Sequence, residues 1–138
     1  MKVVILVASI LVLASASGSL QAQTGHNCNP ALTTFTVSSF LVTPWPLSKN
    51  VNAVMNMTGT FQSAQTLKSL NLYAKVNGVI PFQDSAPEKG TYAAGQTASI
   101  IYKAYVPSIS PAGSYVVQLR LANSASVELN CWEVDFNL

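Results

Sequence analysis

From residue 33 onward, apolar and polar residues alternate with a period of two along most of the chain, the pattern of strands half-buried against a core. The longest run is Val51 to Gln62. Val51, Ala53, Met55, Met57, Gly59 and Phe61 share one face, and Asn52, Asn56, Thr58, Thr60 and Gln62 share the other. Ser69 to Val76 repeats the pattern, with Leu70, Leu72, Ala74 and Val76 inward and Asn71, Tyr73 and Lys75 outward. Thr33 to Val42, rich in β-branched and aromatic residues (Phe35, Val37, Phe40, Val42), predicts an earlier strand. Ala98 to Val106 is apolar on both faces, which predicts a central or pocket-lining strand. Two more runs close the chain, Tyr115 to Ala122 and Val127 to Leu138. In the last, the apolar set is Val127 and Leu129 before Cys131, but Trp132, Val134, Phe136 and Leu138 after it. That change of parity predicts a β-bulge or face switch near Asn130.

Turn chemistry separates these runs. Pro44-Trp45-Pro46 ends ladder bonding and predicts an extended crossover. Asn77-Gly78 is a two-residue hairpin signal, with Val79-Ile80-Pro81-Phe82 resuming after it. Asn123 to Ser126 supplies a turn, and Pro107, Pro111 and Gly113 punctuate the approach to the final hairpin. Asp84 to Gly95 is expected to be a loop, because it carries Pro87, Gly90, Gly95 and the clustered charges Asp84, Glu88 and Lys89. No stretch shows a capped 3.6-residue period. Six or seven strands at this spacing predict an all-β chain, an immunoglobulin-like antiparallel β-sandwich, although the Cys-Trp-Cys spacing of true immunoglobulin domains is absent.

Composition sharpens this picture. The 138 residues suffice for one domain with a core. Apolar residues make up 49% and charged residues only 9%, against about a quarter charged in ordinary domains. Part of the imbalance is a leader: Met1-Lys2, then the apolar run Val3 to Leu13, then the small residues Ala14 to Gly18. This predicts a signal peptide over residues 1–18, with cleavage as late as Ala22, and a secreted or lumenal domain over 24–138. The apolar run falls short of the ~20 residues that span a bilayer. Without Lys2, six basic and five acidic residues remain, too even a balance for a nucleic-acid footprint. The two cysteines, Cys28 and Cys131, allow a single intrachain pairing in an oxidising compartment. Such a bridge closes nearly the whole mature chain and contributes on the order of 4–5 kcal/mol in the chain-entropy picture. Two free buried thiols are the alternative.

Catalytic chemistry is hard to assemble. His26, the one histidine, lies in the N-terminal tail beside Cys28 with no base or orienting partner in view. Glu133 and Asp135 share one strand face and read as solvated carboxylates. No paired-cysteine, His-Glu-x-x-His, phosphate-loop or calcium-loop motif is present, so neither a catalytic residue nor a metal or cofactor is expected. Asn56-Met57-Thr58 is the one sequon, and it puts Asn56 on the polar face of its strand as a glycosylation site.

Five segments, in order, carry a family likeness: Pro44-Trp45-Pro46-Leu47-Ser48-Lys49, Asn56-Met57-Thr58, Asn77-Gly78-Val79-Ile80-Pro81-Phe82, Pro111-Ala112-Gly113-Ser114-Tyr115 and Leu129-Asn130-Cys131-Trp132-Glu133. Together they span most of the mature chain, which resembles the ML lipid-recognition domain family and, within it, the Niemann–Pick type C sterol carriers. The resemblance implies two antiparallel sheets splayed apart around an apolar ligand, and a bridge between the first and last cysteines. It places the pocket lining on Ile80, Phe82, Val106 and Pro111, with Phe40, Met57, Tyr102 and Trp132 as additions. For Met55, Met57, Leu70 and Leu119, ordinary core is an equal or better reading. The chain departs from the family in lacking two further disulfides, one near the Pro44–Pro46 crossover and one after Phe82. That leaves sterol, phospholipid and fatty acyl chains all open as ligand.

Two functional readings follow. One is a monomeric, non-enzymatic lipid carrier holding a sterol or other apolar lipid and handing it to a membrane or membrane protein, with no nucleic-acid partner. The other is a secreted β-sandwich interaction module with a filled core and no cargo. An apolar void on the order of several hundred Å³ near Phe82 and Val106 separates them.

Overall fold

Each long alternating run becomes a strand. A computed structural model describes residues 24–138, apart from the side chains of Ile80 and Pro81, so the expected leader over 1–18 lies outside the described residues. The strands are β1 (His26–Asn27), β2 (Phe35–Thr43), β3 (Val51–Phe61), β4 (Gln65–Val76), β5 (Val79–Tyr92), β6 (Thr97–Val106), β7 (Ser114–Asn123) and β8 (Trp132–Asn137). They form two sheets, a five-stranded one ordered β1-β8-β7-β4-β5 and a three-stranded one ordered β2-β3-β6. All pairings are antiparallel. The inward faces enclose one core, so the chain is an all-β antiparallel sandwich.

The alternation is kept where strands are regular and repaired where they are not. On β3, Ala53, Met55, Met57, Gly59 and Phe61 are buried, as their shared parity predicts. Gly59 is required there, because a Cβ would meet the Thr36 carbonyl oxygen at 2.5 Å and the Phe35 ring at 2.7 Å. In β2 the apolar positions Phe35, Val37, Phe40 and Val42 change parity, and a bulge between Val37 and Ser39 restores them to one face. Asn77 and Gly78 both take positive φ, 50° and 78°, which suits the two-residue turn joining β4 to β5.

Two expectations are corrected and one is narrowed. Asp84 to Gly95 is not a loop: β5 continues to Tyr92, and the turn is confined to 93–96. β5 is an edge strand, so Pro87 forfeits no ladder bond on the open side, and the register slip opposite Leu67 and Ser69 places an extra residue in β5, at Glu88–Lys89. Of the two places expected for Ala98 to Val106, it takes the pocket-lining one and not the central one: β6 is the edge of the smaller sheet, leaves Ile101 and Tyr105 exposed, and turns Tyr102, Ala104 and Val106 to a cavity between the sheets. The last strand begins at Trp132, well after Val127.

Between β7 and β8 the chain turns on Asn123, whose Oδ1 accepts from the backbone N–H groups of Ala125 and Val127. It then runs buried through Leu129, Asn130, Cys131 and Trp132. Asn130 makes the change of face affordable by doing the work of backbone: its Oδ1 accepts from the Leu121 N–H at 2.9 Å, and its Nδ2 lies 3.2 Å from the Met57 sulfur. Cys28 and Cys131 are bonded, with Cα atoms 5.1 Å apart, and no described cysteine is free. Beside the bridge the Cys28 N–H donates to the Cys131 carbonyl, and β1 pairs with β8. His26 therefore has a partner that its tail position did not suggest: its Nε2 lies 2.9 Å from Glu133 Oε2.

Candidate functional site

The inward side chains change in size along the strands. At the end bearing the turns at 62–64 and 93–96, the sheets meet through large groups. The Phe61 ring stacks on Tyr92 at 4.5 Å and tilts against Phe35 at 4.8 Å, with Leu70, Ile100, Leu121 and Leu129 buried around them. Toward the other end the inward positions hold Ala53 on β3, Ala74 on β4 and Ala104 on β6, and Ala53 pairs directly with Ala104. Alanines cannot fill the ~10 Å between packed sheets.

A cavity of about 490 Å³ lies there. Ala53 and Met55 of β3 and Tyr102, Ala104 and Val106 of β6 line it from the smaller sheet, with Leu47 from the crossover between β2 and β3. Leu72, Ala74, Val76, Phe82, Val117 and Phe136 line it from the larger sheet. It opens beside the crossover 44–50, the Asn77-Gly78 turn and the 107–113 loop. That end also carries most of the exposed apolar side chains: Ile109 is 88% exposed, Val79 68%, Phe82 53% and Trp45 43%. At the closed end Val127 is the one large apolar residue so exposed among the described residues.

One polar contact bridges the two sheets inside this lining. The register Leu72↔Asp84 and Ala74↔Phe82 puts Asp84 and Phe82 on the inward face of β5. From β6, the Tyr102 hydroxyl donates to Asp84 Oδ2 at 2.6 Å. Tyr102 is 6% exposed, and its phenol titrates well above the usual tyrosine range, chiefly through burial and then through the bond to Asp84 and that residue's charge. It is a fixed donor. The other phenols near the cavity mouth are occupied: Tyr115 donates to the Pro111 carbonyl at 2.7 Å and Tyr105 to Asn50 Oδ1.

The residues singled out from sequence separate into groups. Phe82, Tyr102 and Val106 meet on the cavity wall. Phe40 and Trp132 stack on each other at 5.7 Å away from it, and the Trp132 indole N–H donates to the Thr24 carbonyl. Met57 is buried beside Asn130, and Pro111 is exposed in its loop. The Ile80 side chain lies outside the described ones. Asn56 sits on the outward face of β3 between Leu41 and Ile101, partly exposed, with its Oδ1 covered and unbonded. The sequence reading missed Leu47, Ala53, Ala74, Ala104 and Asp84 as lining. Alanines at inward positions of three strands were the available signal.

Comparison with known proteins agrees with this architecture. A family model described as the ML domain matches residues 23–138. No curated protein matches the sequence significantly. Among solved structures, a Niemann-Pick type C2 protein from the Japanese carpenter ant superposes with a TM-score of 0.62 at 10% identity, over 83% of this chain and 98% of that one. Chicken MD-1 complexed with lipid IVa gives 0.55 at 16% identity, over 81% and 86%. The C-terminal domain of wzt gives 0.64 at 10% identity, over 76% and 73%. At these identities the structural likeness is one of fold.

Proposed function

The chain belongs to the ML domain family, and from that premise we propose that it is a lipid carrier that holds a sterol or other apolar lipid between its sheets. One observation carries the reading: the inter-sheet cavity of about 490 Å³ is apolar-walled and open at the end where apolar side chains are exposed. Its size falls within the roughly 300–1,000 Å³ of small-molecule sites. A ligand burying roughly 400 Å² of apolar surface gains roughly 10 kcal/mol gross at about 25 cal/mol/Å². Association costs of several kcal/mol leave binding in the micromolar range or tighter.

On this reading Phe82, Tyr102 and Val106 contact the cargo, and Ile109, Val79 and Trp45 meet the membrane or membrane protein that receives it. The protein acts as a secreted or lumenal monomer, without catalysis, after loss of the leader over 1–18, and Asn56 carries glycan. A filled-core interaction module accounts less well for alanines facing one another across open space. The test is native mass spectrometry of the purified full chain, alone and after incubation with cholesterol and phosphatidylcholine vesicles. A co-purified or acquired lipid mass supports the carrier. Apo protein under every condition overturns it.

A further inference from the structure

We propose that the cavity selects cargo by its head group, preferring a lipid that donates a hydrogen bond, an alcohol, to the Asp84 carboxylate that Tyr102 holds in place. The inference rests on the lipid-carrier reading and narrows it to a chemical class. Asp84 shares the inward face of β5 with Phe82 and Ala86, opposite Leu72 and Leu70 on β4. Asp84 stands at the exposed rim of that face, so its carboxylate is open both to solvent and to a head group at the cavity mouth. The bond from Tyr102 fixes the carboxylate at the cavity wall, 2.6 Å from the phenol oxygen.

The polarity of the site follows from counting hydrogens. Tyr102 spends its one proton on Asp84, and a carboxylate accepts only. That bond uses one of roughly four acceptor positions on the carboxylate. The pair therefore presents acceptors to the cavity and no donor. A hydroxyl head group donates to it. An ether of the same length has no proton to give, and a carboxylate head group brings a second negative charge against the first. Lys103 is the one cation at the cavity, but it is exposed, and Ile100, Tyr102 and Ala104 hold the inward parity of its strand.

Inward charges on edge strands also serve to discourage edge-to-edge pairing, and the experiment separates that role from recognition. Native mass spectrometry measures uptake by the full chain of cetyl alcohol, cetyl methyl ether and palmitic acid at neutral pH. We expect the alcohol to be favoured over the ether by about tenfold or more, as a hydrogen bond to a charged group supports, and the acid to bind least. Asp84→Asn, isosteric at an exposed position and able to donate from its amide, brings alcohol and acid to within about threefold of each other. Equal uptake of all three by the unaltered protein, or an unchanged ranking in Asp84→Asn, overturns the inference and leaves the carrier intact. Acid bound above alcohol overturns it too and assigns recognition to Lys103. Uptake of none of the three overturns the inference, and the carrier reading falls with it only where cholesterol and phosphatidylcholine are refused as well.

Discussion

The two ends of the sandwich follow one rule of alternation and reach opposite results. At the 62–64 and 93–96 end, inward positions hold Phe35, Phe61, Leu70, Ile100 and Leu121, and their rings and branches close the gap between the sheets. At the 77–78 and 107–113 end, the corresponding positions on the same strands hold Ala53, Ala74 and Ala104, and a cavity remains. The disulfide and the β1–β8 pairing lie on the closed part of the fold, away from that opening. Cohesion and cavity are thus divided along the strands instead of competing at one place. Substitutions at the closed end should therefore cost stability, and those at the open end should change uptake.

The largest effect should come from the bridge. Replacing both Cys28 and Cys131 by Ser should lower unfolding free energy by about 4–5 kcal/mol, read from denaturant midpoints. A loss under about 1 kcal/mol would show that the bridge contributes little to the closed end. Next comes a pair of identical truncations. Phe61→Ala, at a fully buried ring, should cost about 3–5 kcal/mol, whereas Phe82→Ala, at a ring 53% exposed, should cost well under half of that and weaken lipid uptake. Equal costs would erase the distinction between the two ends.

Filling the cavity tests the open end in the opposite direction. Ala74→Leu adds volume where a packed core would answer with about 1–3 kcal/mol of strain. Here the added side chain enters empty space, so stability should change by less than about 1 kcal/mol while uptake falls sharply. Thermal melting and native mass spectrometry on one preparation would read both. The smallest effect is on pH. The Tyr102 phenol titrates higher folded than unfolded, through burial first and Asp84 second, so its contribution is present below about pH 10, where unfolded tyrosine ionises, and is lost as pH rises toward the folded value. Stability should fall in alkali, and Tyr102→Phe should flatten that fall. An identical alkaline slope in the variant would show that the bond across the sheets has no part in it.

Much of the fold can be read along the chain. Period-two alternation in Val51–Gln62 and Ser69–Val76 identifies strands and their inward faces, because side-chain direction in a strand depends only on neighbouring residues. Asn77-Gly78 predicts its turn because both residues tolerate positive φ, and two cysteines have one way to pair. The parity change before Trp132 was visible, although not the Asn130 side chain that permits it.

Other features were decided only by tertiary structure. Pro87 and Gly90 signal a loop until β5 is known to be an edge strand, where one side has no partner to lose. The two apolar faces of Ala98–Val106 suit a central or a pocket-lining strand equally until the outward side is seen exposed and the inward side lines the cavity. His26 has no partner until β1 lies against Glu133, and Asp84 belongs to a charged cluster until the Leu72 register turns it inward toward Tyr102. Above all, alternation identifies which side chains point between the sheets, but not how far apart the sheets stand. That distance depends on every facing side chain at once, contributed by strands far apart in sequence. Phe40 and Trp132 therefore stack in a closed core while Phe82 and Val106, equally apolar in sequence, line an open cavity.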